Sequence, residues 1–308
     1  MENPNSQGRT KIKKVLAVDD DQLFLEFMDD LLSKEGYEVL TAEDGLSALD
    51  ILKTHTPDII FIDLIMPRIE GKVLCRIIRS MEEFNDAYVI ILSGTLAEEK
   101  IDLSLLGADA CIAKGPLSEM SQHILEVLAN PELASSRSRS GEVIGIESVS
   151  ARGMTTELLA FKDHFNAVLR QMAQGFLEVT SEGWIVYANP AALSLIGIPE
   201  EELLGSDYIK LFAQRDHARL YGLLKKPDDN PPITYDSPVR LNEHEVTLDI
   251  LPFAGNKDTF SIAITDVTRL RREAEALSAG ERRLRKLINE NADAIVIVDG
   301  EGSVKFLN

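Results

Sequence analysis

Cysteine is almost missing from this chain. Cys75 and Cys111 are the two in 308 residues. That is too few for a disulfide framework, and they lack metal-ligand spacing, so both read as buried free thiols. Long hydrophobic runs are missing as well. No apolar stretch approaches the ~20 residues that cross a bilayer, and Met1 to Lys14 is polar and basic without a hydrophobic signal region. A cytoplasmic location is therefore expected. Positive charge is in short supply: 32 Lys and Arg face 51 Asp and Glu, a formal charge of −19. Such a surface repels phosphate backbones, which argues against direct nucleic-acid binding.

What is present suits globular domains: 44% apolar and 27% charged residues in a length that points to two domains and the start of a third. Val15-Leu16-Ala17-Val18 is an apolar run ending in Asp19-Asp20-Asp21, followed by Leu23, Phe24, Phe27, Leu31 and Leu32 at helical spacing. Further strands are expected over Tyr37 to Thr41, Ile59 to Ile62, Val89 to Leu92 and Ala110 to Ala113. Helices are expected around Leu46 to Leu52, Gly71 to Met81, Glu98 to Leu106 and Leu117 to Leu128. Five strands alternating with five helices imply an open parallel sheet covered on both faces. Ligands of such sheets gather beyond the strands' carboxyl ends. Asp19, Asp20, Asp63, Ser93 and Lys114 all fall at such ends.

Chemistry accounts for that set better than packing does. Clustered carboxylates repel one another unless a cation neutralises them, and oxygen ligands select Mg²⁺. A carboxylate beside that metal is a competent nucleophile toward a phosphoryl group. Ser93 can then donate to one phosphate oxygen while Lys114 places a positive charge against another. Each residue alone has a plainer reading: Asp63 as a turn or capping aspartate, Asp21 as a solvated charge or helix start, Ser93 as a turn serine, Lys114 as a surface lysine.

Val18-Asp19-Asp20, Asp63-x-x-Met66-Pro67-x-x-x-Gly71, Ser93 and Lys114 together resemble the CheY-like receiver domain of two-component signalling, over roughly residues 12 to 130. The resemblance implies a flavodoxin-like (βα)5 doubly wound fold and an Asp63 phosphorylated by a phosphohistidine donor. It also implies Mg²⁺ bound by Asp20 and Asp63 side chains, by the Ile65 backbone carbonyl, and by Asp19 through water. Two positions depart from the family pattern. Cys111 stands where an aromatic residue normally swings inward on phosphorylation, and Gly115 separates Lys114 from Pro116, where the family has a cis lysine–proline bond.

Beyond Asn130-Pro131-Glu132, Ser135 to Gly141 has a linker's composition. Leu158, Phe161, Phe165, Val168 and Met172 step by three and four residues, which reads either as a dimer seam or as a helix packed on the next domain. A hairpin over Phe176 to Tyr187, short helices, and strands near 238–241, 245–251 and 260–265 then resemble a PAS domain. Its marks are Tyr187-Ala188-Asn189-Pro190-Ala191-Ala192 and Asp266-Val267-Thr268. The resemblance implies an α+β domain with a five-stranded antiparallel sheet. No residue signals a PAS ligand: His217 lies on a polar helix, and Trp184 reads as packing.

Leu270, Leu277 and Leu284 recur every seven residues on a charged helix, which suggests a parallel coiled coil interrupted at Gly280. Residues 292–308 repeat the pattern of residues 173–189, which suggests the start of a second PAS domain in a longer protein. The expected division is a disordered tail (1–11), receiver (12–130), linker (131–154), connector helix (155–174), PAS domain (175–268), signalling helix (269–290) and a truncated second PAS domain (291–308). Helical coiled-coil linkers are expected to join the domains.

The leading functional reading is a phosphorelay input module. It would pass a signal from Asp63 through the PAS domain and paired helices of a homodimer to an output beyond this span, a histidine kinase or alternatively a diguanylate cyclase. The span lacks a glycine-rich nucleotide loop, a kinase dimerisation histidine and a cyclase signature, so it is not expected to be an enzyme itself. Two alternatives remain. An unphosphorylated interaction scaffold or ligand-sensing module is one. A Mg²⁺-dependent phosphatase is the other, disfavoured by Ile65 where haloacid-dehalogenase-like enzymes carry a second aspartate.

Overall fold

A computed structural model describes residues 13–94, 106–131, 143–145, 164, 166–225, 232–252, 259–289, 296–301 and 303–307. The expected tail, nearly all of the helix near 98–106, and most of the linker and connector helix lie outside the described residues. So do Leu158, Phe161 and Phe165 of the proposed seam.

The first domain runs β1 (Lys14–Val18), α1 (Gln22–Lys34), β2 (Glu38–Ala42), α2 (Gly45–Leu52), β3 (Ile59–Asp63), α3 (Gly71–Ser80), β4 (Tyr88–Ser93), β5 (Ala110–Ala113) and α4 (Leu117–Ala129). Its five strands are all parallel, in the order β2-β1-β3-β4-β5. Strand alternation divides the core. Leu16, Val18, Ile60 and Ile62 face one layer with residues of α2 and α3, whereas Val15, Ala17, Phe61 and Ile90 face the other with α1 and α4. Covering on both sides is why these strands read as unbroken apolar runs.

Local caps fix where the helices start. The Asp21 carboxylate accepts from the Leu23 and Phe24 amides at the head of α1, and that of Asp44 accepts from the Ser47 amide at the head of α2. The order reversal between β1 and β3 opens a crevice at their carboxyl ends. Part of the linker has a definite place: Ile144 pairs in parallel with Ile112 on the edge of β5. Its N–H donates to the Cys111 carbonyl, and its own carbonyl accepts from the Ala113 amide.

The second domain contains β6 (Gly175–Thr180), β7 (Ile185–Ala188), α5 (Pro190–Ile196), α6 (Glu200–Leu203), α7 (His217–Lys225), β8 (Val239–Leu241), β9 (His244–Pro252) and β10 (Thr259–Asp266). The sheet is antiparallel in the order β7-β6-β10-β9-β8. Asn189, fully buried, ties its start together. Its Oδ1 accepts from the Phe176 and Ala192 amides, and its Nδ2 donates to the Leu169 and Gln174 carbonyls. Every polar site of that amide is used. Before β6 the described helical residues stop at Gln171, so Met172 lies past the helix end. Val168 is half exposed there, while Leu169 is buried and its carbonyl accepts from Asn189.

The chain continues as α8 (Thr268–Asn289) and a hairpin of β11 (Val296–Val298) with β12 (Val304–Leu307). Helix α8 leaves the sheet with Arg271 ion-paired to Glu245 at 2.9 Å.

Candidate functional site

Asp19 directly follows β1 and Asp63 ends β3, in adjacent strands whose register places Val18 beside Ile62. One carboxylate oxygen from each of Asp19, Asp20 and Asp63 lies within 4.8 Å of the others. Asp19 and Asp63 are buried, whereas Asp20 is exposed at the mouth. Lys114, at the end of β5, reaches both buried members: its Nζ is 2.5 Å from Asp19 Oδ2 and 2.8 Å from Asp63 Oδ2. The Phe24 ring lies under the ammonium, 4.8 Å from Nζ to the centroid.

Burial sets the electrostatics. Desolvation pushes the Asp63 carboxyl up to about 6 even though Lys114 pulls it down, and it raises Asp19 in the same way. Burial disfavours the Lys114 charge too, but Asp63 and Asp19 outweigh it and its pKa is raised. The pocket therefore holds more negative charge than one lysine balances. An all-oxygen donor set of this geometry fits a hard divalent cation. The Ile65 amide donates to Asp63, and Ile65 is 38% exposed beside the mouth. Ser93 is buried at the end of β4, where its carbonyl accepts from the Lys114 amide at 2.8 Å. All the expected site residues thus meet at one end of the sheet.

The two departures from the family pattern have local explanations. Cys111 is fully buried among Leu64, Ile91 and Leu106, with Val143 of the linker packed against the same cluster. Its thiol is pushed up to about 12 by burial, so it is an inert packing group. Gly115 does not displace Lys114, which meets both carboxylates although no peptide among the described residues is cis.

Three further residues shape the site through contacts that the sequence does not display. Gly71 has its Cα so near β3 that an added Cβ would stand 1.8 Å from the Asp63 carbonyl oxygen. Arg68 adopts φ 65°, a left-handed conformation uncommon for a side-chain-bearing residue. Its guanidinium meets the Asp44 carboxylate at 2.8 Å. Phe24 is the third. The Gly71 contact is made within the loop after Asp63, whereas the Arg68–Asp44 and Phe24–Lys114 contacts join segments distant in the sequence.

The fold and this site define a receiver domain of two-component phosphorelay signalling. Residues 15–125 match the response regulator receiver domain and residues 163–227 the PAS fold, so the chain is a receiver followed by a PAS domain. One relative is the alkaline phosphatase synthesis transcriptional regulatory protein PhoP of Bacillus subtilis (strain 168), 30% identical over 52% of this chain and 65% of that protein. Another is the response regulator MprA of Mycobacterium sp. (strain KMS), 35% identical over 32% of this chain and 40% of its own length. The chain thus spans less than two thirds of either relative. Among solved structures, the chemotaxis response regulator CheY4 of Vibrio cholerae is 29% identical, with TM-score 0.35, 37% of this chain and 97% of that one covered.

Proposed function

We propose that Asp63 is the phosphoacceptor of a phosphorelay and that Asp19, Asp20, Asp63 and the Ile65 carbonyl hold Mg²⁺. The single observation that carries this reading is the convergence of three carboxylates with Lys114 bridging Asp19 and Asp63. In the transfer, an Asp63 carboxylate oxygen bonds to phosphorus as the phosphorus–nitrogen bond of a phosphohistidine breaks. The electron pair stays on the nitrogen of the departing imidazole. Lys114 turns from the Asp63 carboxylate to a phosphoryl oxygen, and Ser93 donates to another. Bound Mg²⁺ supplies charge neutralisation for the incoming phosphoryl oxygens.

Paired helices of a homodimer carry the signal onward to an output beyond this span, a histidine kinase or alternatively a diguanylate cyclase. Support comes from α8, where Leu270, Leu277 and Leu284 are 58%, 68% and 59% exposed at seven-residue spacing. The test of the receiver reading is incubation with Mg²⁺ and acetyl phosphate followed by intact mass. One phosphate adduct that Asp63→Asn abolishes is expected. Absence of any adduct would favour the scaffold reading, and sustained turnover of many phosphomonoesters would favour a phosphatase. The test of pairing is sedimentation: the native chain is expected to sediment as a dimer and Leu277→Glu as a monomer.

A further inference from the structure

The receiver and the PAS domain are packed together by charge, aromatic and apolar contacts on the α2–α3 face. Arg76 of α3 places Nη2 2.7 Å from Glu200 and Nη1 3.4 Å from Glu201 at the head of α6. Lys53, just past α2, lies 4.9 Å from the centroid of the Trp184 ring. Gly205 (φ +75°) comes so close that an added Cβ would meet Leu49 Cδ1 at 2.9 Å. Buried residues of α2 and α3 and of the PAS domain belong to one continuous apolar cluster.

The same docking closes one side of the phosphoacceptor's mouth. A cleft of about 480 Å³ is walled on the receiver side by Asp20, Glu43, Asp44, Pro67 and Arg68, and on the PAS side by Glu178, Val186 and Thr259. Val186 is 3% exposed. Asp20 joins this cleft to the acid pocket, since its carboxylate is within 4.8 Å of that of Asp63. Among these charged groups, Arg68 is the one cation facing four carboxylates.

We infer that the α2–α3 face is the docking surface of the chain's own PAS domain and that phosphorylation of Asp63 and PAS docking oppose each other. This rests on the phosphoacceptor reading above. Phosphorylation replaces a singly charged carboxylate with an acyl phosphate dianion, adding about one negative charge beside a cleft where Glu178 of the PAS domain already faces Asp20, Glu43 and Asp44. Like charges in a partly desolvated cleft repel. The Pro67-Arg68 turn that lines this cleft opposite the PAS sheet is also part of the loop that begins at Asp63. Coupling is reciprocal by thermodynamic necessity: whatever undocks the PAS domain favours the phosphorylated receiver by the same factor.

The experiment uses the full chain in three forms: native, Arg76→Glu, and Arg76→Glu with Glu200→Arg and Glu201→Arg. Acetyl phosphate with Mg²⁺ is the phosphodonor, and adduct formation is followed by intact mass. Arg76→Glu is expected to reach a higher extent of phosphorylation, with the adduct-to-free ratio raised by about fivefold or more, and the triple charge reversal to return to the native ratio. In parallel, spin labels on Glu35→Cys and Glu243→Cys report the distance between domains; the native thiols are buried. Beryllofluoride with Mg²⁺ is expected to lengthen that distance in the native background and leave it unchanged with Asp63→Asn. Equal adduct ratios in all three forms with an unaltered distance overturn the coupling while the phosphoacceptor reading stands. No adduct in any form overturns both.

Discussion

Lys114 Nζ lies 2.8 Å from Asp63 Oδ2 while also contacting Asp19, so one ammonium holds together two buried carboxylates that would otherwise repel. This pairing is the resting state of the pocket, and its removal has a definite cost. Lys114→Met leaves Asp19 and Asp63 without their shared cation, and loss of one member of a buried ion pair costs about 3 kcal/mol. A urea titration in EDTA is expected to show that loss. Mg²⁺ is expected to restore part of it by replacing the missing positive charge.

The pH dependence follows from Asp63. Its carboxyl is raised from 3.8 to about 6 in the folded protein, so between those values the native state binds a proton that the unfolded chain releases. Stability from this group is therefore present at low pH and is lost as pH rises toward and through about 6. The full shift amounts to no more than about 3 kcal/mol. Metal-free unfolding measured from pH 4 to 7 is expected to show this downward slope, and Asp63→Asn to flatten it.

Metal binding acts in the opposite direction at neutral pH. Mg²⁺ at ten times its dissociation constant is expected to stabilise the folded chain by about 1.4 kcal/mol. Thermal melts with and without Mg²⁺ at pH 7.5 check this. Asp20→Asn, which removes a carboxylate from the mouth without emptying the buried pair, is expected to weaken the stabilisation.

Gly71→Ala sets a methyl group against the carbonyl of Asp63, at a separation of 1.8 Å in the unrelaxed backbone. The loop must move for the chain to fold, and Asp63 moves with it. Loss of acetyl phosphate labelling with retained helical circular dichroism is the expected result.

Asn189→Ala removes the side chain that satisfies two amides and two carbonyls at the start of the PAS sheet. Each buried polar group left unmatched costs about 1–3 kcal/mol. The PAS domain is expected to melt well below the receiver, giving two separated transitions by calorimetry.

The acid pocket was legible in the sequence because each apolar strand stops abruptly at a carboxylate of the pocket, as in Val18-Asp19 and Ile62-Asp63. Both sheets were legible too, since strand runs and turn residues alternate at short range. The domain contact was not. Arg76 and Glu200 are 124 residues apart and each reads locally as an ordinary surface charge. Trp184 read as packing, and besides packing against the core it carries Lys53 of the receiver over its ring. Ile144 sits in a stretch without periodicity, so nothing marked it as a partner for β5. The connector pattern ran through Val168, which is half exposed, while its neighbour Leu169 is buried. A spacing pattern of three and four fits either helix face when only a few residues define it.

The pairing of Ile144 with Ile112 shortens the leash on the PAS domain. With Gly145 held at the receiver's edge and His164 the next described residue beyond it, about 19 residues separate the two fixed points, and no conformation of them spans more than about 65 Å. A domain confined to a sphere of that radius experiences its docking face at about 1 mM or above. An interface with a dissociation constant below that concentration is therefore closed most of the time within this chain, and the tether keeps the PAS domain close to its docking face whenever it opens.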